Sequence, residues 1–330
     1  MWRHIAANAL TLLIAGLVVL AGLVGIAQRA FVAQGPLEQA ICFRVDRGAN
    51  LRGVTDELQA EGAISSGMLF RVGAQYDGRD RGLRFGSYLV PASASMDEIL
   101  DIVTRGGAST CGTEIVLRVG VTNTEYQLRE LDPVTSRFGE VMTLPLETEA
   151  LPERYQQIAE LPDTRYRIAV AEGTTSYQVW FALTNAEFLT GSIDEDPAEG
   201  TLAPDSYEVR RGADRLELIG EMQARQVATL SAAWESRAEG LPLATPDEAL
   251  ILASIVEKET GLAEERPVVA SVFINRLRAP MRLQTDPTVI YGITLGRRIL
   301  GRGLRRSELN ARTPYNTYQI DGLPPTPIAN

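Results

Sequence analysis

The sequence predicts an α+β protein carried behind one long apolar helix. Three observations lead there. Residues 5–27 form an apolar run broken only by Asn8 and Thr11. Residues 40–107 alternate short strand-like runs with helix-like stretches bounded by caps and glycines. Residues 245–277 then read as two successive helices, the first with a full set of start and stop signals.

At 330 residues the chain has room for more than one domain. Its net charge of −10 argues against a nucleic-acid partner. The one histidine, His4, lies in the N-terminal tail, so histidine catalysis and histidine-based metal sites are not expected. Two cysteines alone do not make a zinc site. No metal and no cofactor is therefore expected. Chemistry must run on carboxylates, hydroxyls, amides and arginines, because Lys258 is the sole lysine.

Ile5 to Ala27 is long enough, at about 1.5 Å per residue, to cross a hydrocarbon core of about 30 Å. A cleaved signal peptide is the rival reading, with Gly25-Ile26-Ala27 as a small-x-small site. Signal cores usually run about 7–15 residues, so a retained anchor is favoured. Arg3 and Arg29 flank the run and leave its orientation open.

The next stretch reads as a small α+β module. Ile41–Val45 is a strand, Leu51–Glu61 and Ser66–Gln75 are helices, and Gly86–Val90 is a second strand. Met96–Arg105 is a helix capped by Ser93 or Ser95 and stopped by Gly106-Gly107. Cys42 and Cys111 each precede a strand; outside the cytoplasm they can pair, and sequence alone leaves that open.

A weak repeat follows. Glu114–Leu128 and Thr164–Val179 share hydrophobic phase, with Val119 matching Val170 and Tyr126-Gln127 matching Tyr177-Gln178. Each copy reads as strand, turn and helix start. Between them, residues 133–162 are rich in Pro, Glu and Thr and read as loop, with a short helix near Arg154–Glu160. Asp205, after Pro204, is either a second acid near a cleft or a turn cap, and the cap is favoured. Arg215–Arg237 reads as a long scaffold helix.

The most patterned stretch is Pro246–Tyr291. Thr245 is the N-cap, Pro246 the first helical residue, Asp247 and Glu248 the acidic first turn, and Gly261 the stop. Glu257 and Glu259 close this helix and point to nearly opposite sides at about 100° per residue. Glu259 follows Leu252, Ile255 and Val256 at helical spacing, which places it within the apolar stripe. A carboxyl in apolar surroundings holds its proton more readily and can serve as an acid catalyst. The plainer alternative is a helix-end acid paired with an arginine such as Arg266. A second helix, Glu264–Leu277, follows, ended by Asn275, Arg276 and Arg278. Met281–Thr288 is the densest polar cluster, with Gln284, Thr285, Asp286 and Thr288, and Tyr315-Asn316-Thr317-Tyr318 adds aromatic and amide groups.

IVEKET, ASVFINRLR, MRLQTDPTVIYG, TPYNTY and GLPPTPIAN, in that order over about residues 249–330, resemble the MltG (YceG-like) family of endolytic murein transglycosylases. The segment from Glu199 to Tyr207 is similar to a further motif of that family. The resemblance implies that Glu259, the second glutamate of E-K-E-T, is the catalytic acid, with Glu257 the runner-up. It implies a short cytoplasmic tail and transmembrane anchor over 1–34, a LysM-like subdomain over 38–112, and a strand with an insertion over 113–165. A mixed α/β YceG-like catalytic domain over 166–330 would follow, truncated at Asn330 where the family continues with a tail. The implied substrate is the peptidoglycan glycan strand, with Asn275, Arg276, Gln284, Thr285, Asp286, Thr288, Tyr315, Asn316 and Tyr318 as cleft lining. Implied partners are the inner membrane and peptidoglycan synthases or divisome proteins, with the bulk of the chain in the periplasm. Two other readings stay open: a glycan hydrolase using Asp205 or Asp286, and a non-catalytic wall-binding or division scaffold.

Overall fold

In the computed structural model the described residues are 2–105, 111–161 and 163–330. Two compact units divide the chain. The first comprises Met1–Thr113, Arg129–Gly139 and Gln156–Thr164; the second comprises Glu114–Leu128, Glu140–Tyr155 and Arg165–Asn330.

The first unit opens with α1 (Trp2–Val32), whose stretch Leu13–Val32 has a mean hydropathy of 1.9 and is exposed along most of its length, with Phe31 buried near its end. By length and composition this helix can cross a membrane. Then come β1 (Ile41–Val45), α2 (Leu51–Ala60), α3 (Gly67–Tyr76), β2 (Gly86–Val90) and α4 (Met96–Arg105). The caps explain the boundaries. Asn50 accepts from the Gly53 N–H, and Ser66 from the Leu69 N–H at 3.3 Å. Ser95, not Ser93, begins α4, in a reciprocal capping box with Glu98. The expected Gly106-Gly107 stop lies outside the described residues. β1 and β2 pair antiparallel, and their inward residues Phe43, Val45, Tyr88 and Val90 meet Leu58, Phe70, Ile99 and Leu100 in one core. Cys42 and Cys111 form a disulfide with their Cα atoms 5.5 Å apart, which settles the pairing that the sequence left open.

After α4 the chain forms a five-stranded sheet of β3 (Thr113–Val119), β4 (Thr124–Asp132), β5 (Arg137–Pro145), β6 (Arg165–Val170) and β8 (Ser206–Val209), in the order β5-β4-β3-β6-β8. β3 and β6 run parallel, Glu114 opposite Arg165 through Val119 opposite Val170, and β6 and β8 antiparallel. β7 (Leu189–Thr190) and β9 (Ala213–Asp214) make a small separate pair. The helices are α5 (Glu153–Ala159), α6 (Ser176–Thr184), α7 (Arg215–Glu235), α8 (Pro246–Glu259), α9 (Arg266–Arg278), α10 (Asp286–Thr294) and α11 (Arg306–Asn310).

The repeat behaves differently in its two copies. In the second, Thr175 and Gln178 form a capping box and α6 starts there. In the first, Thr124 and Gln127 occupy the same places, but the residues are strand. Gly120 donates to the Asn123 carbonyl in a tight turn, and Tyr126 and Leu128 alternate into the core. Inward alternation next to β3 overrides the local helix signal. Part of the segment expected to be loop, Arg137–Pro145, is instead the edge strand of the sheet, beside β4.

Candidate active site

α8 begins as its sequence dictates. Thr245 accepts from the Glu248 N–H at 3.2 Å, and Pro246 needs no donor in the first turn. Ile251, Leu252, Ile255 and Val256 pack with Phe273 of α9, Leu283 and Ile328. The helix stops at Thr260 in extended conformation, without the left-handed glycine expected at Gly261. The Thr260 hydroxyl donates to Glu265 at 2.7 Å and accepts from the Leu262 N–H.

Glu259 is the last residue of α8, and its side chain is exposed. This corrects the expectation of an acid inside an apolar stripe. The stripe itself is buried, but the α8 part of that core ends at Val256, one turn earlier. Among the described residues no cation pairs with Glu259. Its neighbour is the buried Thr285, whose hydroxyl donates to the Glu259 carboxylate. Thr285 is held in turn by Thr317, whose hydroxyl accepts from the Thr285 N–H at 3.0 Å, and by the start of α10. Tyr318 donates to Asp286 at 2.8 Å, and its phenol is pushed up to about 12, by burial first, then by Asp286 and the nearby charge of Glu259. Gln284 adopts a left-handed φ of 51°, and its exposed side chain follows the buried Leu283. Arg276 donates to the Leu283 carbonyl, which secures the turn into α10.

The other residues expected to line a cleft divide by burial. Asn275 is exposed on α9, and Tyr315 is half-buried against Tyr291 with ring centroids 5.0 Å apart. Thr288 and Asn316 are 0% exposed. Thr288 bonds the Thr285 carbonyl and Thr317, while Asn316 donates to three carbonyls around α11, of Glu308, Leu309 and Ala311. Both therefore support the Glu259 surface from within, and neither offers a polar atom to a ligand, contrary to the expectation.

The second glutamate has the ion pair. Glu257 meets Arg266 at 2.9 Å, and Arg266 also meets Glu172 at 2.8 Å. Burial raises the Glu257 carboxyl and Glu172 adds to this, with Arg266 opposing. A cleft of about 580 Å³ runs here, lined by Glu172, Leu250, Ala253, Glu257 and Arg266 among others. This cleft is on the Glu257 side of α8, not at Glu259. An acid clamped by a guanidinium is poorly placed to hand over a proton, whereas the Glu259 side chain is exposed.

Two charged groups behind the site carry no role in the sequence reading. Glu199 is half-buried, accepting from the Ser176 N–H at 2.7 Å and the Tyr291 hydroxyl at 3.0 Å, and desolvation raises its carboxyl. Lys258 donates to the Gly173 carbonyl; burial lowers its ammonium, with Glu199 and Glu257 opposing. Gly173 has φ +79°, a conformation that glycine adopts without penalty. Lys258 thereby ties the end of α8 to the β6–α6 turn. The segment Ile328–Asn330 completes the junction: Ile328 N–H donates to Ser254, and Asn330 Oδ1 accepts from Ser176 and the Leu202 N–H. Asp205 accepts from its neighbour Ser206 at 2.7 Å and pairs with Arg225 at 2.7 Å; these contacts lower its carboxyl and fit the turn-cap reading.

Comparison with known proteins agrees with the motifs. An endolytic murein transglycosylase of Streptococcus pneumoniae is 26% identical over 293 residues, covering 86% of this chain and 49% of that protein. One of Bacillus subtilis is 27% identical over 289 residues, covering 87% and 72%. The chain spans about half the length of the pneumococcal relative. A crystal structure of a yceG-like protein of Listeria monocytogenes aligns over 89% of this chain and 86% of that one, at 20% identity and a TM-score of 0.41. The YceG-like family matches residues 43–330, nearly the whole chain after α1, and the protein belongs to that family.

Proposed function

We propose that the chain is an endolytic lytic transglycosylase that cleaves the MurNAc–GlcNAc glycosidic bond of nascent peptidoglycan strands, with Glu259 as the single acid and base. The observation that carries this reading is the Glu259 carboxylate: exposed, without a cationic partner among the described residues, and held by the Thr285 hydroxyl. The names of the pneumococcal and Bacillus relatives support the reaction class.

The chemistry needs one carboxyl. Protonated Glu259 gives its proton to the bridging oxygen as the bond from MurNAc C1 to that oxygen breaks, and GlcNAc leaves with a free 4-hydroxyl. The MurNAc 6-hydroxyl then attacks C1, and its proton passes to the Glu259 carboxylate. The product is a 1,6-anhydroMurNAc end, no water is consumed, and the acid is regenerated. Two-carboxylate glycosidases require a second group to activate water or form a covalent intermediate. Glu257 is held by Arg266 and Asp205 by Arg225, which leaves Asp286, exposed beside Thr285, as the candidate for a hydrolytic reading. A strand laid across Glu259 would meet Gln284, Asp286, Asn275 and Tyr318. Lysis at this bond would terminate glycan elongation.

In this reading residues 1–34 are a tail and single-pass inner-membrane anchor and the rest lies in the periplasm. Residues 38–112 are a LysM-like spacer, 113–165 a strand with an insertion and 166–330 the catalytic domain. Peptidoglycan synthases or divisome proteins would be its partners. Mass spectrometry of ends released from nascent glycan strands tests the reaction: anhydro ends are expected. Ends heavier by one water would make the protein a hydrolase, and binding without new ends would make it a wall-binding scaffold.

A further inference from the structure

α1 is longer than a membrane needs. Its 31 residues, at about 1.5 Å each, make roughly 46 Å, against a hydrocarbon core of about 30 Å. The packing shows where the surplus goes. The last two turns of α1 lie against α3: Val24, Ala27, Gln28, Phe31 and Val32 share one apolar groove of about 580 Å³ with Leu69, Val72 and Tyr76. Phe31 is buried there, over Gly73, where a Cβ would overlap its ring. A span over Leu13–Val32 would carry Arg29, and α3 with it, into the lipid. A span of 20 residues from Ile5 to Val24 crosses the same thickness without a charge and brings Arg29 out at the surface.

That placement puts α3 at the water–lipid boundary. α3 carries an outward stripe left open by the described residues of the first unit: Met68 is 73% exposed, Val72 51% and Tyr76 82%. The three are spaced four apart, on one face of the helix, while Phe70 and Ala74 face the core. The stripe is continuous with the α1 groove through Val72 and Tyr76. Tyrosine at this level is the residue that membrane boundaries favour.

We propose that the Met68–Val72–Tyr76 face of α3 lies in the interfacial layer of the lipid bilayer, so that the first unit is seated on the membrane and not merely tethered to it. This rests on the reading of α1 as a span. α3 and the last turns of α1 would then bind the bilayer as one surface, an interfacial helix beside a spanning one.

The test uses the full chain in phosphatidylcholine nanodiscs, with a diazirine on the lipid acyl chain near the headgroup and labelled peptides located by mass spectrometry. Labels are expected on α1 and on the peptide containing Gly67–Tyr76. In a Met68→Ser, Val72→Ser, Tyr76→Ser variant the α3 labelling should fall severalfold while that of α1 is unchanged. Labelling of α1 alone in the wild type would overturn the seating and leave the anchor standing. Labelling of neither would remove the anchor and the seating together. Protein cross-links joining α3 of two copies, with no lipid on α3, would make the stripe a self-association face and overturn the proposal.

Discussion

Lys258→Met removes the ammonium that ties α8 to the β6–α6 turn and keeps the length of the side chain. The Gly173 carbonyl loses its donor, and the half-buried Glu199 loses an opposite charge. A hydrogen bond from a charged group contributes about 1.5–3 kcal/mol. Lys258 is only partly buried, so the lower half of that range applies, roughly 2 kcal/mol. For a folded unit of this size, each kcal/mol shifts the melting temperature by about 2–4 °C, so a fall of about 4–8 °C is expected. A circular-dichroism melt at neutral pH reads it. Part of the loss is the attraction between Lys258 and Glu199, so adding Glu199→Gln should cost less than the two single effects summed. Melting within about 1 °C of wild type would show that the Lys258–Gly173 link contributes nothing to the junction.

The remaining predictions concern single contacts. Glu199 has its carboxyl raised above 4.5 by burial, so the native state takes up its proton first and stability falls as pH rises from 4.5 through the folded value. Glu199→Gln should flatten that window in urea titrations, leaving a residual slope of the same sign from Glu257, and an unchanged slope would contradict the burial argument. Thr285→Val should lower the rate of anhydro-end formation by about tenfold, the loss expected for one hydrogen bond to a charged group, while Thr285→Ser retains it. Replacing Cys42 and Cys111 by alanine opens a loop with a sequence separation of 69 and should destabilise the first unit by up to about 4 kcal/mol in guanidinium titrations. Coincident curves for oxidised and reduced wild-type protein would refute that.

What could be read from the sequence was local. Thr245-Pro246-Asp247-Glu248 fixed the start of α8 to the residue, because a cap acts within three residues of itself. The capping pattern at Thr124 and Gln127 misled for the same reason. It is identical to that at Thr175 and Gln178, and only the neighbouring strand β3 decides between them. A helical wheel placed Glu259 on the buried side of α8 but could not show that the core stops at Val256. The support behind the site was invisible. Glu199 meets Tyr291 across 92 residues, Lys258 meets Gly173 across 85, and no spacing rule connects them. Thr288 and Asn316 have the chemistry of sugar-binding groups, and it is their burial that assigns them to the frame.

The most direct measurement compares Glu259→Gln with Glu257→Gln on purified sacculi, counting anhydro-muropeptides released per unit time. The substitution at 259 keeps the shape and the Thr285 contact and removes the transferable proton. We expect it to abolish release, while the 257 variant, which loses only the pairing with Arg266, continues to cleave. Near wild-type release by Glu259→Gln, or loss confined to Glu257→Gln, would contradict the account.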